Sequence, residues 1–324
     1  MNTQIRYASK NPICRRAVFV DGVARTGKFL ACRIVSHLVH GEHAQYQAAI
    51  EHMCYMFFIG AVDRQVAAPF LQFITEEQTY NRMVGRYLNT RLDDASSIYQ
   101  SPHHESYMAR TVAPSGTDAA DAFNKAGFIP VYPLHNAMVS GTLIFDAMPW
   151  AQVIHICRHP VVQTYKWFER GWGHRDLEDP LSFVPLVETD AGTVPWFAYK
   201  WSERFLSGNA MERALDSVLM LQAADETGFA ELSDQQNANV LRFTLERLMA
   251  KPTDIVQEIS AFLGSPVHKK MASMLVDEAL PITPRPDRHK SMLDEISRLV
   301  SADRLNELLL ASRAFEEKWD VDPI

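Results

Sequence analysis

The apolar positions of this chain alternate between short continuous runs and stretches of helical period. Ala17-Val18-Phe19-Val20 directly follows Arg15-Arg16, and an uninterrupted run of that length predicts a strand buried on both faces of a parallel sheet. Asp21 to Lys28 reads as a Gly-containing loop. From Phe29 to Val39 the positions Phe29, Leu30, Ile34, Val35 and Leu38 share one helix face, and Gly41 is placed to end that helix. Gln152-Val153-Ile154-His155-Ile156-Cys157 predicts a second strand, Arg158-His159-Pro160 its loop, and Val161 to Arg170 the next helix. Asn239 to Thr244 predicts a third strand, and Asp254 to Leu263 an amphipathic helix closed by Gly264. His43 to Leu92 is helical and rich in Met and Phe, Asp93 to Asp118 is polar and irregular, and Leu134 to Met148 is helical up to Pro149. Gly171 to Pro195 has no clear period, Trp196 to Leu215 and Met292 to Trp319 are helical, and Pro281 to Pro286 is a Pro-rich loop. Strands alternating with helices specify an α/β fold, with a central, mainly parallel sheet and helices on both faces.

Composition narrows the class. At 324 residues and 47% hydrophobic, the chain can enclose a large core around one sheet, and repeats and low-complexity segments are absent. The expectation is a single domain over 1–324, with a helical and loop insertion at about 43–127. A net charge of -7 excludes a general nucleic-acid binder, which needs basic surface to displace counterions, but leaves room for a local basic pocket. Cys14, Cys32, Cys54 and Cys157 have no close pairing and no metal-ligand spacing, which fits a reducing compartment. Met1 to Pro12 is polar without an apolar core, and no run has the length and apolarity of a membrane span. A cytoplasmic protein is expected.

Gly22-Val23-Ala24-Arg25-Thr26-Gly27-Lys28-Phe29 nearly spells G-x-x-x-x-G-K-[ST]. In such a loop, backbone N–H groups at a helix N-terminus converge on an anion, and here Arg25 and Lys28 add positive charge. Phe29 stands where a hydroxyl would hold Mg²⁺, so the pattern calls for no metal. Arg25-Thr26-Gly27-Lys28-Phe29-Leu30 resembles the R-[ST]-G-[ST]-[ST]-L loop of the sulfotransferases that use 3′-phosphoadenosine 5′-phosphosulfate (PAPS). Lys28 and Phe29 replace that family's two hydroxyl residues. Pro149 to Pro160 is similar to the family's P-x-A-x-x-I-x-x-x-R-[DN]-P segment, with Arg158 on its arginine and His159 in place of Asp or Asn. Leu245-Glu246-Arg247-Leu248 to Pro252, with Ile259 and Phe262-Leu263-Gly264, resembles its Y-E-D-L-x-x-x-P … I-x-x-F-L-G signature. The three segments keep the family's order from Val18 to Gly264.

The resemblance implies a P-loop-like fold, PAPS as co-substrate, its product 3′-phosphoadenosine 5′-phosphate (PAP), and no metal. It implies that Arg25, Thr26, Gly27, Lys28 and Phe29 surround the 5′-phosphosulfate. Arg158 then meets the 3′-phosphate, joined by Lys166 at the family's serine position, with Thr164 as a nearby hydroxyl. Arg285, Arg288, His289 and Lys290 stand where the family places a late basic loop. Arg25 and Lys28 are candidates for neutralising charge in transfer. His135, after Val131-Tyr132-Pro133-Leu134, is the first candidate for general base, with Glu51 and His43 behind it. Trp167, Trp172 and Trp196 are candidates for stacking an acceptor, which would be a small molecule or carbohydrate bearing a hydroxyl or amine. Two other classes remain open: a P-loop kinase, for which Leu143-Ile144-Phe145-Asp146 imitates a Walker B strand, and a binding protein of this fold without chemistry.

Overall fold

The computed structural model describes residues 7–282 and 286–322. The strands are β1 (Val18–Asp21), β2 (Val131–Pro133), β3 (Gln152–Cys157), β4 (Leu186–Thr189), β5 (Gly192–Pro195) and β6 (Val240–Thr244). The principal helices are α1 (Lys28–Ser36), α2 (Ala48–Phe58), α3 (Arg64–Met83), α4 (Pro160–Phe168), α5 (Ala210–Ala230), α6 (Pro252–Leu263), α7 (Pro286–Leu299) and α8 (Ala302–Trp319). β2, β1, β3 and β6 form one sheet in that order, all parallel, and β4 and β5 form a separate antiparallel hairpin.

Side-chain alternation along the strands builds a core on each face of the sheet. Phe19, Tyr132 and Val153 pack under α2, α3 and α5. Val18, Val20, Val131, Ile154 and Ile156 pack under α1 and α6. A third cluster joins Val161, Leu215, Ile296 and Leu308, from α4, α5, α7 and α8. The same parity turns Asp21 and His155, fully buried and paired in register, toward the α5 side. Parallel strands end together, so four loops emerge along one edge in the order of the sheet.

The sheet strands longer than three residues lie where the apolar runs place them. β2 is only three residues and ends in Pro133, too short for a periodic signal. The expected long helices are all broken, each at a local feature. His43 to Leu92 divides at Gly60, in the left-handed region at φ 77°, into α2 and α3. Leu134 to Met148 is a 3₁₀ turn and a five-residue helix, separated by Gly141. Trp196 to Leu215 breaks before a capping box of Asn209 and Glu212 that starts α5. Met292 to Trp319 breaks at Ser301, between α7 and α8. Asp93 to Asp118 contains the helical turns Ile98–Gln100 and His104–Arg110, and the irregular Gly171 to Pro195 contains the β4–β5 hairpin.

α5 touches the loop after β2 through Gly228, where an added Cβ would lie 1.9 Å from the Met138 carbonyl oxygen. The Ala137 and Met138 N–H groups donate to Asp21 at 2.9 and 3.1 Å, so this close approach also fixes the end of β1. Gly228→Ala is expected to lower the unfolding free energy by about 1–3 kcal/mol, the usual cost of overpacking, as read by urea denaturation. An unchanged midpoint would mean that α5 shifts freely.

Candidate functional site

The loop after β1 is held open by its backbone. Gly22, Arg25 and Gly27 have φ of 147°, 74° and 85°. A Cβ on Gly22 would lie 2.4 Å from the Ile156 carbonyl oxygen, and one on Gly27 2.5 Å from Leu245 Cδ1. Only glycine lets the loop rest on the ends of β3 and β6. The Ala24 carbonyl accepts from Gln163 Nε2 at 2.9 Å and Trp167 Nε1 at 2.8 Å, and the Arg25 carbonyl from Arg158 Nη1 at 2.7 Å. α1 then begins at Lys28 without a side-chain cap, leaving its first N–H groups directed along the helix dipole, an arrangement suited to an anion. Arg25 is exposed beside it.

On the β3 and β6 side lies a cavity of about 340 Å³, lined by Arg158, Lys166, Arg288 and His289 together with Leu245 and Glu246. Its cationic lining suits a polyanion. Glu246 anchors the β3 loop by accepting from the His159 N–H at 3.0 Å. Burial raises its pKa above the ordinary carboxylate value, although the backbone N–H groups of His159 and Glu246 and the Arg158 charge pull the other way. Lys166 pairs with Glu169 and lines this cavity, whereas the Thr164 hydroxyl is fully buried without a hydrogen-bond partner among the described residues. Of the late basic segment, Arg288 and His289 reach this cavity, Lys290 lines a separate depression with Asp294 and Glu295, and Arg285 lies outside the described residues.

On the β2 side, His135 and Glu51 meet. Glu51 Oε2 lies 3.1 Å from His135 Nδ1 and accepts from the His135 N–H at 2.9 Å. Glu51 also accepts from the Tyr46 hydroxyl. The Tyr55 hydroxyl donates to the His135 carbonyl at 2.7 Å, and Phe29 stands with its ring 6.3 Å from the imidazole. Burial, followed by the Lys28 charge, lowers the His135 pKa against the pull of Glu51. Lys28 is buried under the loop, its Nζ donating to the Gly22 carbonyl at 3.1 Å. Burial lowers its pKa to about 8, with Asp21 and Glu51 acting in the opposite direction.

His43 is not part of this group. It is buried beside Arg82, Glu42 and Tyr107, and burial and then Arg82 push its pKa down to about 4. The tryptophans are packing elements: Trp167 is buried and pins the Ala24 carbonyl, Trp172 packs edge-on against it at 5.1 Å, and Trp196 stacks on Tyr55 at 4.0 Å. The segment Leu143 to Asp146 is helical, and Asp146 pairs with Arg64, so it supplies no strand-borne acid to the loop.

Thr26 turns inward, its hydroxyl buried without a hydrogen-bond partner among the described residues. Beneath it runs a buried row that sequence reading missed. His155 Nδ1 lies 3.3 Å from Asp21 Oδ2, and His155 Nε2 lies 3.6 Å from Asp225 Oδ2. Burial favours protonation of Asp21, but the His155 and Ala137 contacts and Lys28 outweigh it and lower its pKa. Asp225, buried and next to Asp21, is raised well above the carboxylate range. The one signal in the sequence is His155 interrupting an apolar strand run.

No protein-family model and no curated protein matches this chain. Among solved structures it is similar to sulfotransferases. The sulfotransferase domain of the Synechococcus PCC 7002 olefin synthase is 14% identical, with 98% of each chain covered and a TM-score of 0.44. A sulfotransferase from Mycobacterium avium is 12% identical, covering 97% of this chain and 79% of that one at a TM-score of 0.44. A mouse sulfotransferase complexed with PAP is 13% identical, covering 96% and 84% at a TM-score of 0.37. Among the described residues, no helix is long and apolar enough to cross a membrane.

Proposed function

We propose that this protein is a PAPS-dependent sulfotransferase, one domain over 1–324 whose 43–127 segment contributes the acceptor side. The observation that carries the reading is the order of loops along the sheet edge. His135 follows β2, the Gly22–Gly27 loop follows β1, Arg158 follows β3 and Glu246 follows β6. An uncapped helix N-terminus therefore stands between a histidine–carboxylate pair and a cation-lined cavity. In-line transfer needs this order, with a base and acceptor on one side of the sulfur and the leaving nucleotide on the other.

On this reading Arg25, Gly27, Lys28 and the first N–H groups of α1 hold the 5′-phosphosulfate. Thr26, turned inward, shapes the loop, and Phe29 faces the acceptor beside His135. Arg158, with Lys166, Arg288 and His289 nearby, receives the 3′-phosphate. PAPS supplies the sulfuryl group, and His135 takes the proton from a hydroxyl or amine of a small-molecule or carbohydrate acceptor. A cytoplasmic setting, where PAPS is available, suits this reaction.

PAP is expected to raise the melting temperature by mass action on the native state, with EDTA leaving the shift unchanged. Arg158→Ala is expected to weaken PAP binding about 10- to 100-fold, matching roughly 1.5–3 kcal/mol for a charge-assisted phosphate contact. Binding of adenosine 5′-phosphosulfate, which has no 3′-phosphate, should change little. Strong stabilisation by ATP with Mg²⁺ and none by PAP would overturn the reading in favour of a kinase. Equal losses for both nucleotides would remove Arg158 from the 3′-phosphate. PAP binding without turnover across hydroxyl and amine acceptors would leave a nucleotide-binding protein.

A further inference from the structure

A second cavity, of about 460 Å³, lies on the α5 and α8 side of β3, and among its lining residues are neither His135 nor any that line the Arg158 cavity. Its walls are mostly apolar, with Ile156, Leu219, Ala311, Phe315 and Trp319, and Gln163, Gln222 and Glu226 are among the polar residues that also line it. Met220 and Lys318, both well exposed, stand at its rim. Its deepest lining is different in kind: Thr26, His155 and Asp225, each buried to at least 97%. Neither carboxylate oxygen of Asp225 has a hydrogen-bond partner among the described residues, and neither does Thr26 Oγ1. A buried carboxyl with no hydrogen bond, its ion-pair neighbour His155 Nε2 standing off at 3.6 Å, is costly, and such groups are retained where something else completes them.

The charges around Asp225 indicate what that is. Asp21 on β1 and Glu226 on α5 are acidic, and His155 on β3 sits between Asp21 and Asp225. Arg242 on β6 and Lys318 on α8 are both paired with Glu226. Lys28 on α1 donates to the Gly22 carbonyl and lies within the field of Asp21. The Arg242 guanidinium lies 5.5 Å from the Trp319 ring centre, so the aromatic wall already faces a cation. An anionic ligand would meet Asp21 and Asp225. A cation would meet an acceptor that lacks a donor.

We propose that this cavity is a second small-molecule site, for a primary or secondary amine carried on an apolar body, with the ammonium seated on Asp225. Burial and the adjacent Asp21 favour the protonated form of the unliganded Asp225. The incoming ammonium therefore displaces one proton to solvent and leaves a carboxylate–ammonium pair. His155 Nε2 stands 3.6 Å from that carboxylate, and Thr26 can accept from a remaining N–H of the ligand. The site does not rest on the sulfotransferase reading, since it uses neither the cationic cavity nor the His135–Glu51 pair, although it shares Val23 and Thr26 with the phosphate loop. Through Thr26 it touches the underside of the Gly22–Gly27 loop.

The test is calorimetric titration of the full chain with tryptamine, 4-phenylbutylamine and octylamine, each beside the alcohol of the same skeleton. At least one amine should bind ten-fold or more tighter than its alcohol. Titrations in two buffers of different ionisation enthalpy should show release of about one proton per ligand. Asp225→Asn should bring the amine and the alcohol level. Ala311→Phe, which adds bulk to the cavity from α8 and leaves Asp225 unaltered, should abolish binding while circular dichroism shows the fold retained. Glu51→Gln should leave amine binding unchanged, separating this site from the acceptor side. Equal binding of amines and alcohols, no binding of any amine, or binding that survives both Asp225→Asn and Ala311→Phe would overturn the proposal. None of these outcomes bears on PAP binding.

Discussion

His135→Ala is expected to lower turnover, at saturating PAPS, by about 10²- to 10⁴-fold, the range that a positioned general base supplies, while PAP affinity changes little. The geometry gives the reason. Nδ1 faces Glu51 at 3.1 Å, so an Nδ1–H donated to that carboxylate leaves Nε2 as the acceptor that takes the substrate proton. The side chain keeps 28% of its surface exposed, enough for an acceptor to approach. Glu51→Gln should cost less, because the amide still accepts from the His135 N–H but no longer stabilises an imidazolium. The pH profile adds a constraint. A base must be neutral, and burial together with Lys28 lowers the His135 pKa below its ordinary 6.5. The acid limb of kcat/KM should therefore fall below pH 6.5, with the rate rising as pH rises through it. A limb above 6.5 that persists in His135→Ala would falsify the assignment.

Lys28→Ala is expected to lower turnover by about 10²- to 10³-fold, as removal of one charge-stabilising donor does, while PAP affinity weakens only modestly. Lys28 does not point into solvent. Its ammonium lies under the loop against the Gly22 carbonyl, at the start of α1. Charge develops on the bridging oxygen during transfer, and an interaction that strengthens there acts on turnover more than on ground-state binding. Lys28→Thr, which restores the hydroxyl of the family loop, should recover part of the rate. Burial places the Lys28 pKa at about 8 in the free protein. The protonated form is the active one, so kcat/KM should fall as pH rises past about 8. That alkaline limb should be missing in Lys28→Thr. Bound PAPS, being anionic, should move the limb upward in kcat. An unchanged turnover in Lys28→Ala would eliminate the catalytic role. The melting temperature of Lys28→Ala separates this from a structural effect, since the variant leaves Asp21 and Glu51 without their buried cation.

The sequence by itself determined the frame. Val18 to Val20, Gln152 to Cys157 and Val240 to Thr244 are legible because strands buried on both faces are short continuous apolar runs. The loop at Gly22 to Lys28 is legible because glycines recur where backbone must rest on backbone. Arg158 is legible because it ends such a run. The tertiary structure decided what those residues face. Glu51 and His135 are 84 positions apart and meet only because β2 lies beside β1, a pairing that β2, at three residues, is too short to announce. Lys166 rather than Thr164 reaches the cationic cavity because the phase of α4 against the sheet is set by packing. Trp167, Trp172 and Trp196 are aromatic in any setting, and only their neighbours show that they support the site rather than line it. Asp225 sits in the middle of α5 without a motif, and its environment is made by β1, β3, β6 and α8 together. Periodicity and motif are local and survive in one dimension. Burial, partner and charge balance are sums over neighbours distant in sequence, and they exist only once the chain has closed on itself.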